Sequence, residues 1–322
     1  MNKSAKLFAL LSGVVLAAAA CTSGSGGSTA PSSAPSAAAP STAPSAEASA
    51  AASESAAAID PNSLLGKVLA AKTLRISTDP NYKPFSFLNV DTGKYEGFDT
   101  STAEETAKRL GAMFNTDLKV DWQTPSWDAI TAGSWGGRWD ISIGSMSVTN
   151  TRAKVVDFAD PYYYDSGAVA VPKDSPIQSL SELAGKTFCV GAATTYEQWL
   201  KGTLDIVDPN VVTPPATPES NVTSLPTDNE CVQAVKAGRK FDAIVANANG
   251  LADAVKSGEP IRVLAGPPIF TVQVAFALDK SGANTQSMLT ALNKIVADMH
   301  ADGTLSGFST KWLEKDVTQK PS

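Results

Sequence analysis

Histidine is nearly missing from this chain: one residue, His300, in 322. It falls on a segment that reads as a long carboxy-terminal helix. A Ser/His/Asp or Cys/His catalytic arrangement would have to use it, and an ordinary surface helix position is the expectation instead. Cysteine is scarce too, with three residues, so no His/Cys cluster has the spacing of a zinc site. No glycine-rich loop runs into Lys-Ser/Thr, so no phosphate cradle is expected. Basic residues do not cluster: 26 lysines and arginines face 32 aspartates and glutamates, a net charge of −6. Nucleic acid is therefore not an expected partner. The apolar run at residues 7–20 is too short to remain in a membrane as a spanning helix. The expectation is a protein without metal, cofactor or catalytic apparatus.

The chain opens like an export signal. Lys3 and Lys6 precede the apolar run, and Ala18-Ala19-Ala20 gives a small-residue cleavage context, so residues 1–20 read as a signal peptide. Cys21 follows at once, as in a bacterial lipobox, although Ala18 stands where leucine is usual and Leu16 lies two places too early. Cys21 is expected to carry a lipid; ordinary cleavage would leave it a free thiol. Residues 22–58 are almost entirely Ala, Ser, Pro, Thr and Gly, with Glu47 and Glu54 their only charges. Such a segment cannot bury enough apolar surface to fold, so residues 21–58 read as a lipidated, disordered tether. Residues 59–322 hold 24 basic residues (26 less Lys3 and Lys6) and 30 acidic ones (32 less Glu47 and Glu54). They are long enough for two lobes with separate cores.

Within 59–322, helix and strand patterns alternate, which predicts an α/β fold with a mainly parallel sheet. Residues 64–71 read as a helix and 74–77 as a strand. A hairpin spans 85–98 across Asp91-Thr92-Gly93. Residues 100–110 form an amphipathic helix ended by Gly111. A strand at 118–122, a helix at 127–132 capped by Ser126 and a strand at 141–143 follow. A second alternating set runs from a strand at 187–190 through helices from Tyr196, at 231–237 and from Leu251, with a strand at 243–246. A returning strand at 272–278 and helices at 285–299 and 305–313 close the chain.

The densest stretch is residues 127–163, WDAITAGSWGGRWDISIGSMSVTNTRAKVVDFADPYY. After the strand come Gly144-Ser145-Met146-Ser147-Val148-Thr149 and then Arg152. Glycine lets a ligand approach the backbone, hydroxyls supply polar contacts, and the guanidinium is a planar fork suited to a carboxylate. This suits a small anionic or zwitterionic solute. The pattern Trp127-Asp128-x-Ile130, Asp140, Gly144 to Thr149, Arg152 and Phe158-x-Asp160-Pro161-Tyr162 resembles the bacterial extracytoplasmic solute-binding proteins of the polar-amino-acid type, family 3, which serve ABC importers.

That resemblance implies a two-lobed periplasmic binding protein type 2 fold with two crossovers. Lobe 1 would comprise 59–164 and 267–322, and lobe 2 residues 165–266, with the ligand between them. It implies that Asp79 meets the distal end of the ligand and that Tyr82 and Trp127 wall it. Ser145 and Ser147, flanking Met146, would accept from its α-amine, and Arg152 would anchor its carboxylate. Thr194, Thr195 and Tyr196 would close from the second lobe. Asn247 falls where the family usually has an aspartate for the α-ammonium, which points to a modified amine or to a site that offsets the loss elsewhere. Asp79-Pro80-Asn81 also reads as plain turn chemistry, and Trp135 and Trp139 are given no ligand role. Cys189 and Cys231 remain as a pair in an oxidising compartment, bridged or as two buried thiols. The expected partners are a small-molecule ligand, a permease and, through the lipid, the membrane, for a monomer outside the cytoplasm. The rivals are a dehydratase of cyclic carboxylic acids on the same scaffold and a sensory module, the latter disfavoured because no kinase or transmembrane segment follows Ser322.

Overall fold

A computed structural model describes residues 59–206 and 210–320. The signal peptide, Cys21 and the tether assigned to residues 1–58 lie outside the described residues. Among these, no helix is long and apolar enough to cross a membrane.

The first elements follow their local signals. Helix α1 (Leu64–Ala71) starts where the Ser63 hydroxyl accepts from the Gly66 N–H at 3.1 Å. It leads into β1 (Thr73–Ser77), the short β2 (Asn81–Tyr82), and the hairpin of β3 (Ser86–Asn89) and β4 (Lys94–Glu96). Helix α2 (Phe98–Met113) buries Phe98, Ala103, Ala107 and Leu110, a helical spacing. It runs past Gly111 rather than stopping there. A Cβ at Gly111 would meet the Thr116 carbonyl oxygen at 2.4 Å, so this glycine admits the returning loop and is not the cap. Strand β5 (Lys119–Gln123), helix α3 (Trp127–Thr131) and the two-residue β6 (Ile141–Ser142) follow. Ser126 precedes α3 without a side-chain cap bond.

Strand β7 (Val156–Pro172) is 17 residues long, and it takes up both the Asp-Pro-Tyr segment and the small apolar residues Gly167-Ala168-Val169-Ala170-Val171 that follow. Beyond it lie β8 (Phe188–Gly191), α4 (Thr195–Leu200), β9 (Val222–Leu225), α5 (Asp228–Lys236), β10 (Ala243–Asn247), α6 (Ala248–Lys256) and β11 (Ile261–Val263). The chain returns along β12 (Phe270–Asp279) to α7 (Gln286–Ala301) and α8 (Thr304–Leu313). Strands β2, β9 and β11 have two to four residues, too short for a periodicity to announce them.

The main sheet has the order β5-β1-β6-β12-β7-β10-β8-β9, with β11 beside β7. Its outer parts are parallel, β5-β1-β6 at one end and β10-β8-β9 at the other. The antiparallel pair β7 and β12 joins them, so the two crossovers are neighbouring strands of one sheet. Leu74, Ile76, Ile141 and Ile143 pack with α2, α7 and α8 into the first lobe's core. In the second lobe, alternate residues of the same strands feed opposite faces: Val169, Val171, Phe188, Val190 and Val245 on one, Ala170, Cys189 and Ile244 on the other. A disulfide joins Cys189 on β8 to Cys231 on α5. His300 is half-buried, its Nε2 at 3.0 Å from the Pro161 carbonyl oxygen on β7, so it ties α7 to the crossover rather than standing free on the surface.

Candidate functional site

Four strand ends point into the cleft between the lobes. The loop after β1 brings Asp79 and Tyr82, and the loop after β6 brings Gly144, Ser145 and Ser147 with Arg152. The turn from β8 into α4 brings Thr194, Thr195 and Tyr196, and the short link after β9 brings Pro226, Thr227 and Asp228. With Trp127 from α3 they line one chamber holding about 510 Å³ of empty space.

Arg152 dominates its chemistry. The guanidinium is 4 % exposed, and no carboxylate pairs with it among the described residues. It donates instead to two carbonyl oxygens, Ser147 O at 3.0 Å and Ala193 O at 2.9 Å. The Trp127 ring centre lies 5.2 Å from it. Burial brings its pKa down from 12.5 to about 10, so it remains charged near neutrality with part of its donor fork unused. Ser147 forms a bridge with Val274 of β12. The hydrogen bonds there run Ala275 N to Met146 O and Val148 N to Gln273 O, which turns the Ser147 N–H away from β12. Trp127 Nε1 donates to Ala193 O at 3.2 Å, and the Ser147 and Thr195 hydroxyls lie 3.4 Å apart. The lobes therefore meet across the chamber.

Ser145 in its wall, at φ 56°, and Ala193, whose carbonyl oxygen holds Arg152 and Trp127, at φ 59°, have left-handed backbones, a local strain typical of sites held by their surroundings. The Ser145 hydroxyl donates to Asp99 Oδ2 at 2.7 Å, while Tyr162 donates to Asp99 Oδ1 at 2.7 Å. Burial raises Asp99 to about 7, against the pull of those two bonds. Asp79 lies at the other side. Its Oδ1 accepts from the Asn81 N–H at 2.7 Å, so turn chemistry and a place in the chamber wall coexist, and burial raises its pKa. Asp228, 8 % exposed, is the acid that the sequence reading missed. Burial lifts it to about 7 although it accepts from the Gly191 N–H at 3.0 Å. Among the described residues the chamber wall thus combines one cation without a carboxylate partner, Arg152, with the carboxyl groups of Asp79 and Asp228.

Two expectations need correction. Met146 does not face the chamber; it is 0 % exposed and packs with Ile130, Trp135, Trp139, Val156 and Ala277. The chain bends at Ser145, φ 56°, so that Ser145 and Ser147 line the chamber while the side chain between them enters the core. Asn247, 1 % exposed, is not in that wall either. Its Oδ1 accepts from the N–H groups of Asn249 and Gly250, capping α6, and its Nδ2 donates to Asp165. Asp165, raised to about 7 by burial, also accepts from the Tyr196 hydroxyl at 2.5 Å. An aspartate at 247 could not donate to Asp165. The Thr194 hydroxyl is likewise engaged, donating to Gly191 O and accepting from the Glu197 N–H at 2.7 and 3.1 Å. Among the described residues no group of His, Cys, Asp and Glu is placed to hold a metal.

A sequence profile of the bacterial extracellular solute-binding proteins, family 3, matches residues 74–315. The chain belongs to that family. It is 30 % identical over 267 residues to the L-cystine-binding protein TcyJ of Escherichia coli, a match covering 82 % of this chain and 91 % of that one. It is 29 % identical over 236 residues to the probable amino-acid-binding protein YxeM of Bacillus subtilis, covering 73 % and 82 %. Among solved structures it resembles the ancestral amino acid-binding protein AncCDT-1, a precursor of cyclohexadienyl dehydratase, at 30 % identity and a TM-score of 0.65 over 78 % of this chain and all of that one. The two-lobed α/β architecture is that of the periplasmic binding protein type 2 fold.

Proposed function

We propose that this protein captures a small zwitterionic solute, a polar amino acid or derivative, outside the cytoplasm and delivers it to the permease of an ABC importer. The observation that carries this reading is Arg152, a buried cation with no carboxylate partner among the described residues, lining a chamber together with Asp79 and Asp228. Burying a charge without a partner is costly unless a ligand completes it. The ligand carboxylate takes the Arg152 fork and the Ser147 N–H, Tyr82 and Trp127 flank the stem, and the cationic groups meet Ser145, Asp79 and Asp228. The second lobe closes through Thr195 and Ala193, with β7 and β12 as the hinge. Relatives named for binding cystine and other amino acids support the class.

The N-terminal segment adds a lipid on Cys21 and a tether, so that a monomeric receptor stays at the membrane outside the cell. Membrane fractionation of the Cys21→Ser protein tests this; a variant that stays in the membrane fraction refutes the anchor. For the ligand, titration calorimetry of the mature protein against the common amino acids, amines and small carboxylates is decisive. Saturable binding by amino acids, lost when either the carboxylate or the amine is removed, is expected. Equal binding of the decarboxylated amine sinks the Arg152 assignment. The likeness to a dehydratase precursor and the two raised acids in the chamber favour one rival, a dehydratase of cyclic acids. Intact ligand recovered after long incubation rejects it.

A further inference from the structure

Asp99 stands behind the chamber wall, on the first turn of α2, 0 % exposed and without an ion-pair partner among the described residues. Ser145 separates it from the chamber. Three donors converge on its carboxylate. The Ser145 hydroxyl reaches Oδ2 at 2.7 Å, the Tyr162 hydroxyl reaches Oδ1 at 2.7 Å, and the Ser145 backbone N–H donates as well. The left-handed turn at Ser145, φ 56°, gives one carboxylate both donors of a single residue.

A serine hydroxyl carries one hydrogen and two lone pairs. With that hydrogen committed to Asp99, Ser145 can only accept from whatever occupies the chamber. An ammonium meets this requirement, and a carbonyl or carboxylate oxygen at the same place does not. A cation resting on Ser145 Oγ lies about 5 Å from the Asp99 carboxylate, two hydrogen bonds in sequence, which is close enough for the two charges to act on each other in a buried site.

We propose that Asp99 is a positioning residue for ligand selection: it fixes Ser145 as an acceptor and sets a negative charge behind it, so that this part of the wall takes an amino group and rejects an acceptor. The proposal rests on the reading of the chamber as an amino-acid site. A protonated Asp99 has to hand its hydrogen to Ser145 or Tyr162, and a serine that receives it turns its own hydrogen elsewhere. A bound ammonium therefore selects the ionised form. Burial holds Asp99 near 7 and Asp165 on β7 opposes its ionisation through space, while the three donors and the start of α2 favour it. The phenols around it, Tyr82, Tyr162 and Tyr163, are pushed further above their usual range by burial and stay neutral. Binding of an amine near pH 7 should thus release a proton from Asp99.

The test is titration calorimetry with three pairs that differ in the α-amine: L-arginine and δ-guanidinovalerate, L-histidine and imidazolepropionate, L-cystine and dithiodipropionate. The wild-type protein is expected to prefer the amino acid of a bound pair roughly tenfold or more. Asp99→Asn and Ser145→Ala should each cut that preference about fivefold or more, the difference between a charge-assisted and a neutral contact, by weakening the amino acid and leaving its partner unchanged. A merely structural role weakens both members of a pair alike, and that result, or an unchanged preference, overturns the proposal. Titrations in phosphate and in Tris near pH 7 count protons. The wild-type protein should release more with the amino acid than with its partner, and Ser145→Ala should remove the difference. If the Asp99→Asn protein does not fold, this count decides, and equal release with and without Ser145 overturns the proposal. Desamino compounds that bind wild-type protein as tightly as the amino acids overturn it too, while leaving carboxylate capture by Arg152 intact. Failure of all six compounds to bind overturns both readings.

Discussion

Replacing Arg152 by methionine separates ligand anchoring from structural support. A guanidinium engaging a ligand carboxylate through two charge-assisted hydrogen bonds at ~1.5–3 kcal/mol each contributes ~3–6 kcal/mol. Its loss should weaken amino-acid binding roughly 100-fold to 10 000-fold. The ligand-free protein should respond differently. Burial lowers this pKa from 12.5 to about 10, which means that keeping the charge in the fold costs on the order of 3 kcal/mol. Methionine removes that cost and also removes the bonds to Ser147 O and Ala193 O, together about 3 kcal/mol at the lower end of the range for a charged donor. The two nearly cancel, so urea denaturation without ligand should show a change within about 2 kcal/mol. A structural ion pair behaves otherwise, since breaking one costs ~3–5 kcal/mol. A loss of that size without ligand, with affinity falling less than tenfold in calorimetry, would show that Arg152 holds the fold and refute its role as anchor. Arg152→Lys keeps charge without the fork and should still lose most of the affinity.

Asp99, Asp165 and Asp228 are each held near 7 by burial, above their unfolded value of about 4. The folded state therefore binds extra protons between pH 4 and 7. Ligand-free stability should fall as pH rises from 5 towards 8, by up to ~1.4 kcal/mol per pH unit for each group while it titrates; a flat or rising denaturation profile over that interval contradicts these positions. A cationic ligand group favours the ionised acids, so its affinity should increase over the same range. Exchanging Cys189 and Cys231 for alanine opens a loop with a sequence separation of 42 and should cost about 4 kcal/mol by loop entropy, with ligand selectivity preserved in calorimetry. Asn247→Asp sets a carboxylate against Asp165 where an amide now donates. It should lower the melting temperature at pH 8 and recover most of the loss at pH 5, whereas a uniform loss at both would rule out charge repulsion as the cause.

Much of the architecture was legible because its signals are local. The order of helices and strands, the insertion of one alternating set within another, and the serines before Arg152 are carried by periodicity and by a motif a few residues long. What failed to show depends on residues meeting from afar. Asp228 starts α5 behind a four-residue strand, and in the sequence it is one more acid at a helix start; the one available signal was that Thr227-Asp228 marked a helix beginning earlier than Cys231. The length of β7 stayed hidden because Pro161 and Gly167 interrupt its pattern. Met146 was misplaced because its inward turn depends on the left-handed bend at Ser145 and on a core pocket built by Trp135, Trp139 and Val156, none of which a short motif shows.

Asn247 shows how a departure from a family pattern follows from a neighbour. Position 247 closes β10 and caps α6, so its oxygen is committed to the Asn249 and Gly250 N–H groups. What remains to be chosen is whether the other side-chain atom donates or accepts, and Asp165 decides it. Asp165 stands on β7, paired with Val272 of β12, within the two strands that link the lobes. One of its oxygens takes the Tyr196 hydroxyl and the other the Asn247 amide. An asparagine satisfies the ionised carboxylate there, whereas an ionised aspartate opposes it. The Asp165 carboxylate thus favours the amide at 247 and ties the starts of both α4 and α6 to the crossover. The acid that lines the chamber from the second lobe is Asp228, beyond the end of β9 and two strands further along the sheet than β10. The end of β10 thus carries an amide and the end of β9 an acid, and the crossover carboxylate is the reason for the amide.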